Sequence, residues 1–239
     1  MSNDVGSVTV VTYTLSDRVS ISKISTISVV KSITHSPKRD RTRRDGVRSA
    51  VLDATARLLD AGESFTALGI TRICSEAGVA RSAFYTCFPN KSGLLIALTA
   101  EATDELFAAS ERWITAGSGI DGSELERTIM GSFAVLRAQP AVLRAYAEVA
   151  AYDPDIAGFW AKRMDRTAEI LADVIARARE TGAVRPTIDP VLAADFIVWG
   201  GERLMSRHVA TSPIERDADC ARKLARAITA MLYVDSRPS

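Results

Sequence analysis

The sequence predicts an all-α protein of about nine helices, with a small three-helix head near the N-terminus and a larger helical bundle behind it. Three observations carry this: apolar residues recur at steps of three and four from Arg44 onward, Gly- and Pro-containing breaks separate the stripes, and no convincing strand follows residue 36. The chain also has the means to bury a core, since 47% of its 239 residues are apolar and 25% are charged. No uninterrupted apolar run is long enough to span a bilayer, which argues against a membrane protein.

Residues 1–36 stand apart, because 25 of them are Ser, Thr, Val or Ile. Ser and Thr interrupt every apolar run, so an export signal is not supported and a disordered leader is expected. Lys38, Arg39, Arg41, Arg43, Arg44 and Arg48 then form a basic arm. The first helix shows Val47, Ala50, Val51, Ala54, Leu58 and Ala61 on one stripe, and Gly62 stops it. A short second helix runs from Gly69 and Ile70 to Gly78, and a third from Ala80 to Phe88, before Pro89 and Asn90 break the chain. Helical spacing resumes at Leu94, Leu98, Ala102 and Phe107. After a Gly117–Gly122 turn come Leu125, Ile129, Phe133 and Leu136, a restart at Pro140, then Ile156, Trp160, Met164, Leu171 and Ile175. Val191 to Met205 and Leu224 to Leu232 supply the last two stripes. The expected division is a leader over 1–36, an arm and head over 37–91, and a bundle over 92–239.

Charge follows the same division. The net formal charge is only +1, yet residues 1–91 carry 13 basic and 8 acidic side chains and the rest is acidic on balance. A basic front end suits docking on an anion. Three cysteines without a CxxC and two histidines make a disulfide framework or zinc site improbable, and a reducing cytoplasm is the expected setting. There is no H-E-x-x-H and no G-x-S-x-G, so neither catalysis nor a metal or cofactor is expected. The G-x-G-x-x-G match at Gly117–Gly122 follows a helix rather than a strand and reads as a loop.

The densest constellation is Ile70 to Leu95, reading ITRICSEAGVARSAFYTCFPNKSGLL. Two short helices joined through Gly78 fit a helix-turn-helix, because Gly tolerates the positive φ of a tight turn while Ile73, Ala77, Val79 and Phe84 fill the angle. The second helix then presents Arg81, Ser82, Tyr85 and Thr86 outward. A plain helical hairpin explains the apolar positions equally well.

The string AGVARSAFYTCFPNKSGLL resembles the recognition-helix signature of the TetR family of one-component bacterial transcription regulators. The remainder is similar in helix count to that family's ligand-binding domain, with a fainter likeness to the ethionamide-regulator branch around Phe133, Trp160 and Gly201-Glu202-Arg203. The resemblance implies that Arg81, Ser82, Ala83 and Thr86 face bases and that Tyr85 and Lys91 contact phosphate. Arg41, Arg43 and Arg44 of the basic arm would lie along phosphates or in a minor groove. One departure is Gly69, where the family usually places a capping Thr or Ser.

The resemblance further implies an apolar pocket for a small effector, with Trp113, Phe133, Tyr146, Tyr152, Trp160, Met164, Trp199 and Arg203 as lining, and Glu148, Asp195 and Glu202 as further polar candidates. It also implies a homodimer built on the last two helices, through Gly200, Leu204, Leu224, Ile228 and Leu232. The expected function is a repressor released from a palindromic double-stranded operator by a small apolar molecule. The rival reading is an all-α metabolite-binding or enzymatic protein that no longer engages DNA.

Overall fold

The computed structural model describes residues 37–115 and 122–233. The expected leader over residues 1–36 and all but the last residue of the Gly117–Gly122 loop lie outside these residues. The described chain folds into α1 (Pro37–Asp60), α2 (Ile70–Ala77), α3 (Arg81–Cys87), α4 (Lys91–Thr115), α5 (Gly122–Ala138), α6 (Pro140–Ala150), α7 (Pro154–Glu180), α8 (Pro190–Asp195), α9 (Gly201–Thr211) and α10 (Asp217–Leu232). Its one non-helical pairing among the described residues is the isolated bridge between Val184 and Tyr233. The all-α expectation holds.

Local chemistry sets the helix starts. Proline opens α6, α7 and α8, where its fixed φ suits the first turn and its missing N–H is no loss. Asp153 caps α7 by accepting from the N–H groups of Asp155 and Ile156, and Asp189 caps α8 by accepting from Leu192. One start differs from expectation. The basic segment is not an arm ahead of the first helix but the first turns of α1, which begins at Pro37. Nothing between Pro37 and Gly62 breaks a helix except the single Gly46, so the cations ride on it.

Two apolar clusters hold the fold. The first joins Val51, Leu58, Phe65, Ile73, Phe84 and Phe88 of the head to Leu94, Leu95 and Leu98 of α4, Val142 of α6 and Ile156 of α7. It runs through residue 91 without a break, because α4 is one uninterrupted helix of 25 residues and α6 packs against both α1 and α4. The second joins Ile114, Leu125, Ile129, Phe133, Leu171, Ile175, Ile228 and Leu232.

The second cluster is stapled by a buried ion pair. Arg137 on α5 donates from Nε and a terminal nitrogen to the two Asp217 oxygens, at 2.7 Å each, and to the Ser212 carbonyl at 3.0 Å. His208 Nε2 lies 2.9 Å from Asp217 Oδ1, so α5, α9 and α10 meet on one carboxylate. The Arg137 hydrogen bonds hold the Asp217 carboxyl below the usual carboxylate range.

The stripe from Val191 to Met205 predicts one helix, and α8 and α9 do form one rod. Between them, however, Phe196–Gly200 is a π turn. A Cβ at Gly200 or Gly201 would meet nothing within 4 Å in this chain, so close packing inside the chain does not demand either glycine. Their weak preference for a regular helix is expressed in the widened turn instead. Among the described residues no helix is long and apolar enough to cross a membrane.

Candidate functional site

The head is built around Gly78. Its φ of +65° lies in the left-handed region, and its N–H and that of Val79 close α2 onto Ser75 and Cys74. The chain then turns directly into α3, and Phe84 and Phe88, fully buried with centroids 5.4 Å apart, lock α3 into the angle between α1 and α2. What remains outside is Arg81, Ser82, Tyr85 and Thr86, all exposed, with Ala83 half-buried between them. Arg81 lies over the Tyr85 ring at 5.8 Å and makes a long 3.4 Å hydrogen bond to its hydroxyl. Thr86 spends its proton on the Ala83 carbonyl at 2.6 Å, which leaves its oxygen only as an acceptor.

Arg41, Arg43 and Arg44 are exposed on α1, and the Cys87 thiol donates to the Arg44 carbonyl at 3.5 Å, so the basic turns of α1 abut the end of α3. Lys91 is placed otherwise than a free phosphate contact would be. Its ammonium donates to the Thr66 carbonyl at 2.9 Å and sits 4.8 Å over the Phe65 ring. Burial lowers its pKa, with the Glu148 carboxylate pulling the other way. Gly69, as the sequence suggests, supplies no side-chain cap to α2.

A polar clasp joins head and bundle. Thr66 donates to Glu148 at 2.6 Å, and Ser92 in the first turn of α4 donates to Asp153 at 2.6 Å, the residue that caps α7. Tyr152, expected in the effector pocket, is exposed here with its hydroxyl 3.4 Å from Thr66. Glu148 belongs to the same clasp.

Inside the bundle, α4, α5, α7, α9, α10 and the π turn enclose a cavity of about 110 Å³. Of the expected lining, Trp113, Trp160, Met164 and the polar candidate Glu202 are on its wall, together with Phe107 and Gly201. The others are not. Phe133 is fully buried in the second core with its ring 5.0 Å from that of His208. Tyr146 stands behind Trp160, 5.4 Å between ring centroids, and donates its hydroxyl proton to Ile156. Trp199, Arg203 and Asp195 face outward and are exposed. Sequence reasoning missed Ser206, whose spacing of four from Glu202 on a helix was the available signal. A wider, open cleft of about 710 Å³ lies outside the α4–α7 seam, but there Arg163 is already committed to Asp104 at 2.6 Å and to the Phe107 ring at 4.1 Å.

The expected dimer residues also divide. Leu232 is 0% and Ile228 8% exposed within the single chain, so these two face inward and are not available to a second copy, while Leu224 is half-buried and also lines the cavity. The reason is that α10 packs its apolar face on α5. Leu204 is exposed on α9, and it is joined by Leu192 at 70%, Phe196 at 68% and Val191, an apolar outer face along α8 and the π turn.

A compact helix-turn-helix whose exposed second helix carries Arg81 and is flanked by the α1 arginines, joined to an all-α bundle that holds a cavity, has the architecture of a DNA-binding regulator. The comparisons with known proteins agree. Residues 51–98 match the model of the bacterial regulatory proteins of the tetR family, and residues 125–232 match the C-terminal domain of the transcriptional regulator EthR, between them well over half of the chain. The chain is 26% identical over 177 residues to the HTH-type transcriptional regulator EthR of Mycolicibacterium smegmatis, covering 73% of this chain and 81% of the relative. Among solved structures, SmeT in complex with triclosan superposes with a TM-score of 0.64 at 20% identity, over 80% of this chain and 93% of that one. GusR of Salmonella enterica gives 0.61 at 19% identity, over 78% and 95%. The chain belongs to the TetR family and is a transcriptional regulator, not an enzyme.

Proposed function

We propose that this regulator is a homodimeric repressor that binds a palindromic operator through α3 and leaves it when a small, mainly apolar molecule occupies the bundle cavity. The observation that carries the reading is the face of α3: Arg81, Ser82, Tyr85 and Thr86 stand clear of an otherwise closed head, and Arg41, Arg43 and Arg44 flank it. Arg81 suits bidentate pairing with guanine, and the α1 arginines suit phosphate. Tyr85 and Thr86 add hydroxyls at the same surface. Lys91 has spent one of its three ammonium protons on the Thr66 carbonyl, which ties its head to that loop and leaves two donors for phosphate.

In this reading residues 37–91 read DNA and residues 92–239 bind effector and dimerise, within the cytoplasm where the operator lies. The apolar outer face of α8 and the π turn, with Leu204 and Gly200, supports pairing with a second copy. Control then runs along α4, which reaches from Lys91 and Ser92 at the clasp to Trp113 on the cavity wall. SmeT, a similar fold, represses a Stenotrophomonas maltophilia multidrug efflux pump and has been seen with triclosan, which supports both repression and a small ligand.

A gel shift and footprint of the full-length protein on the DNA upstream of its own gene tests the proposal. Two protected half-sites about 34 Å apart, one turn of DNA, are expected. A single asymmetric footprint, or no shift at low salt, overturns it.

A further inference from the structure

The cavity wall is unevenly finished. Four of its hydroxyls have spent their protons on their own helices: Ser110 on Leu106, Thr128 on Glu124, Ser132 on Thr128 and Thr167 on Arg163, at 2.9 to 3.0 Å. Ser206 donates to Glu202 at 2.7 Å. These oxygens can still accept a hydrogen bond, but they have no proton left to offer. Two polar groups lack a full complement of partners. Among the described residues, Glu202 takes that one hydrogen bond from Ser206 and no ion pair, and the buried indole Nε1 of Trp113 has no partner.

The wall therefore offers acceptors, one carboxylate and a single N–H donor. Its aromatic part includes Trp113 and Trp160, and indole rings attract cations at their electron-rich faces; Phe107 on the same wall already carries Arg163 at 4.1 Å. An anion would find one donor and a like charge. A carboxylate facing an apolar space gains most from an opposite charge it can hydrogen-bond. The reach of this negative charge is visible next door: burial first, and Glu202 second, push the Tyr146 phenol up to about 12.

We propose that the effector is a compact organic cation, an apolar ring or short chain bearing a protonated amine that Glu202 receives. This rests on the reading of the cavity as the effector site. The cavity volume of about 110 Å³ suits one ring-sized group, since an engineered void of about 150 Å³ lined by Leu, Ile and Phe accepts benzene.

Three probes share one ring and differ only in charge: benzylamine, benzyl alcohol and benzoate. Calorimetric titration of the full-length protein should show benzylamine binding about tenfold or more tighter than benzyl alcohol, the scale of a charge-assisted hydrogen bond, and benzoate weakest. Glu202→Gln keeps the shape and the Ser206 contact and should bring benzylamine down to the alcohol. Gly201→Trp, which fills the cavity, should abolish binding of all three. Equal affinity of the three probes for the wild-type protein, or a benzylamine preference that survives Glu202→Gln, overturns the cation proposal and leaves the cavity as effector site. Binding of none, or binding that survives Gly201→Trp, removes the effector-site reading itself. If Glu202→Gln does not fold, the three wild-type affinities decide.

Discussion

Arg137→Leu removes the cation from a carboxylate that the fold has enclosed on every side. The Asp217 side chain is 4% exposed and that of Arg137 20%, so the pair is largely out of water. Breaking a buried pair by removing one partner costs about 3–5 kcal/mol, because the remaining charge keeps its desolvation penalty. The lower end applies here: Arg137 is partly wet, and His208 stays 2.9 Å from Asp217. A loss of about 3 kcal/mol corresponds to a fall in melting temperature of roughly 6–12 °C for a chain of this length. The check is thermal and urea unfolding at one fixed protein concentration, since association would add its own stability. The double variant Arg137→Leu/Asp217→Leu should lose at least about 1 kcal/mol less than the two single losses added together. Acid supplies a second signature. Because the folded state depresses the Asp217 pKa, the pair's contribution is complete above the unfolded value of about 3.9 and is lost as pH falls through the folded value. Arg137→Leu should therefore flatten the acid limb of the stability curve. A single variant within about 0.5 kcal/mol of wild type, or strictly additive losses, would refute the reasoning.

Gly78→Ala forces a side chain into φ +65° where nothing else crowds it, so backbone strain alone should cost about 1–2 kcal/mol, read in the same melts. Phe196→Asp should leave the melting profile of the monomer intact while light scattering shows loss of the dimer, whereas Ile228→Asp, inside the second core, should unfold the chain at any concentration. A Phe196→Asp protein that remains dimeric removes the α8 face from the interface. On DNA, Arg81→Ala should cost about 1–3 kcal/mol on the operator and far less on random sequence, by fluorescence anisotropy at fixed salt, and equal losses would deny it a role in reading bases.

The head was legible because its determinants are local. Gly78, the apolar positions around it and the Phe84–Phe88 pair fix one turn and one angle, and each acts within about fifteen residues of the others. The cavity depends instead on which faces of five helices converge, and sequence does not show this. Trp113 and Phe133 look alike as members of aromatic stripes, yet one reaches the cavity and the other is sealed in the core against His208. Leu224, Ile228 and Leu232 announce a buried face without saying whether it is buried by the same chain or another. Composition marked the α1 arginines as cations but not as helical. Lys91 read as a free cation because the carbonyl that holds it, Thr66, is 25 residues away in sequence.

The rod formed by α8, the π turn and α9 has two working sides. Ile197, Val198, Gly201 and Met205 form part of the cavity wall, while Leu192, Phe196 and Leu204 lie on the outside. A single helix diameter, about 10 Å, separates them. The irregular turn at Phe196–Gly200 is where that rod yields most readily, since its hydrogen bonds are out of step with both neighbours. A ligand that widens the cavity by moving this rod would carry the outer face with it. Under the proposed function, affinity for a small molecule and affinity for a second copy would be two readings of one displacement, and linkage would oblige each to change the other by the same factor.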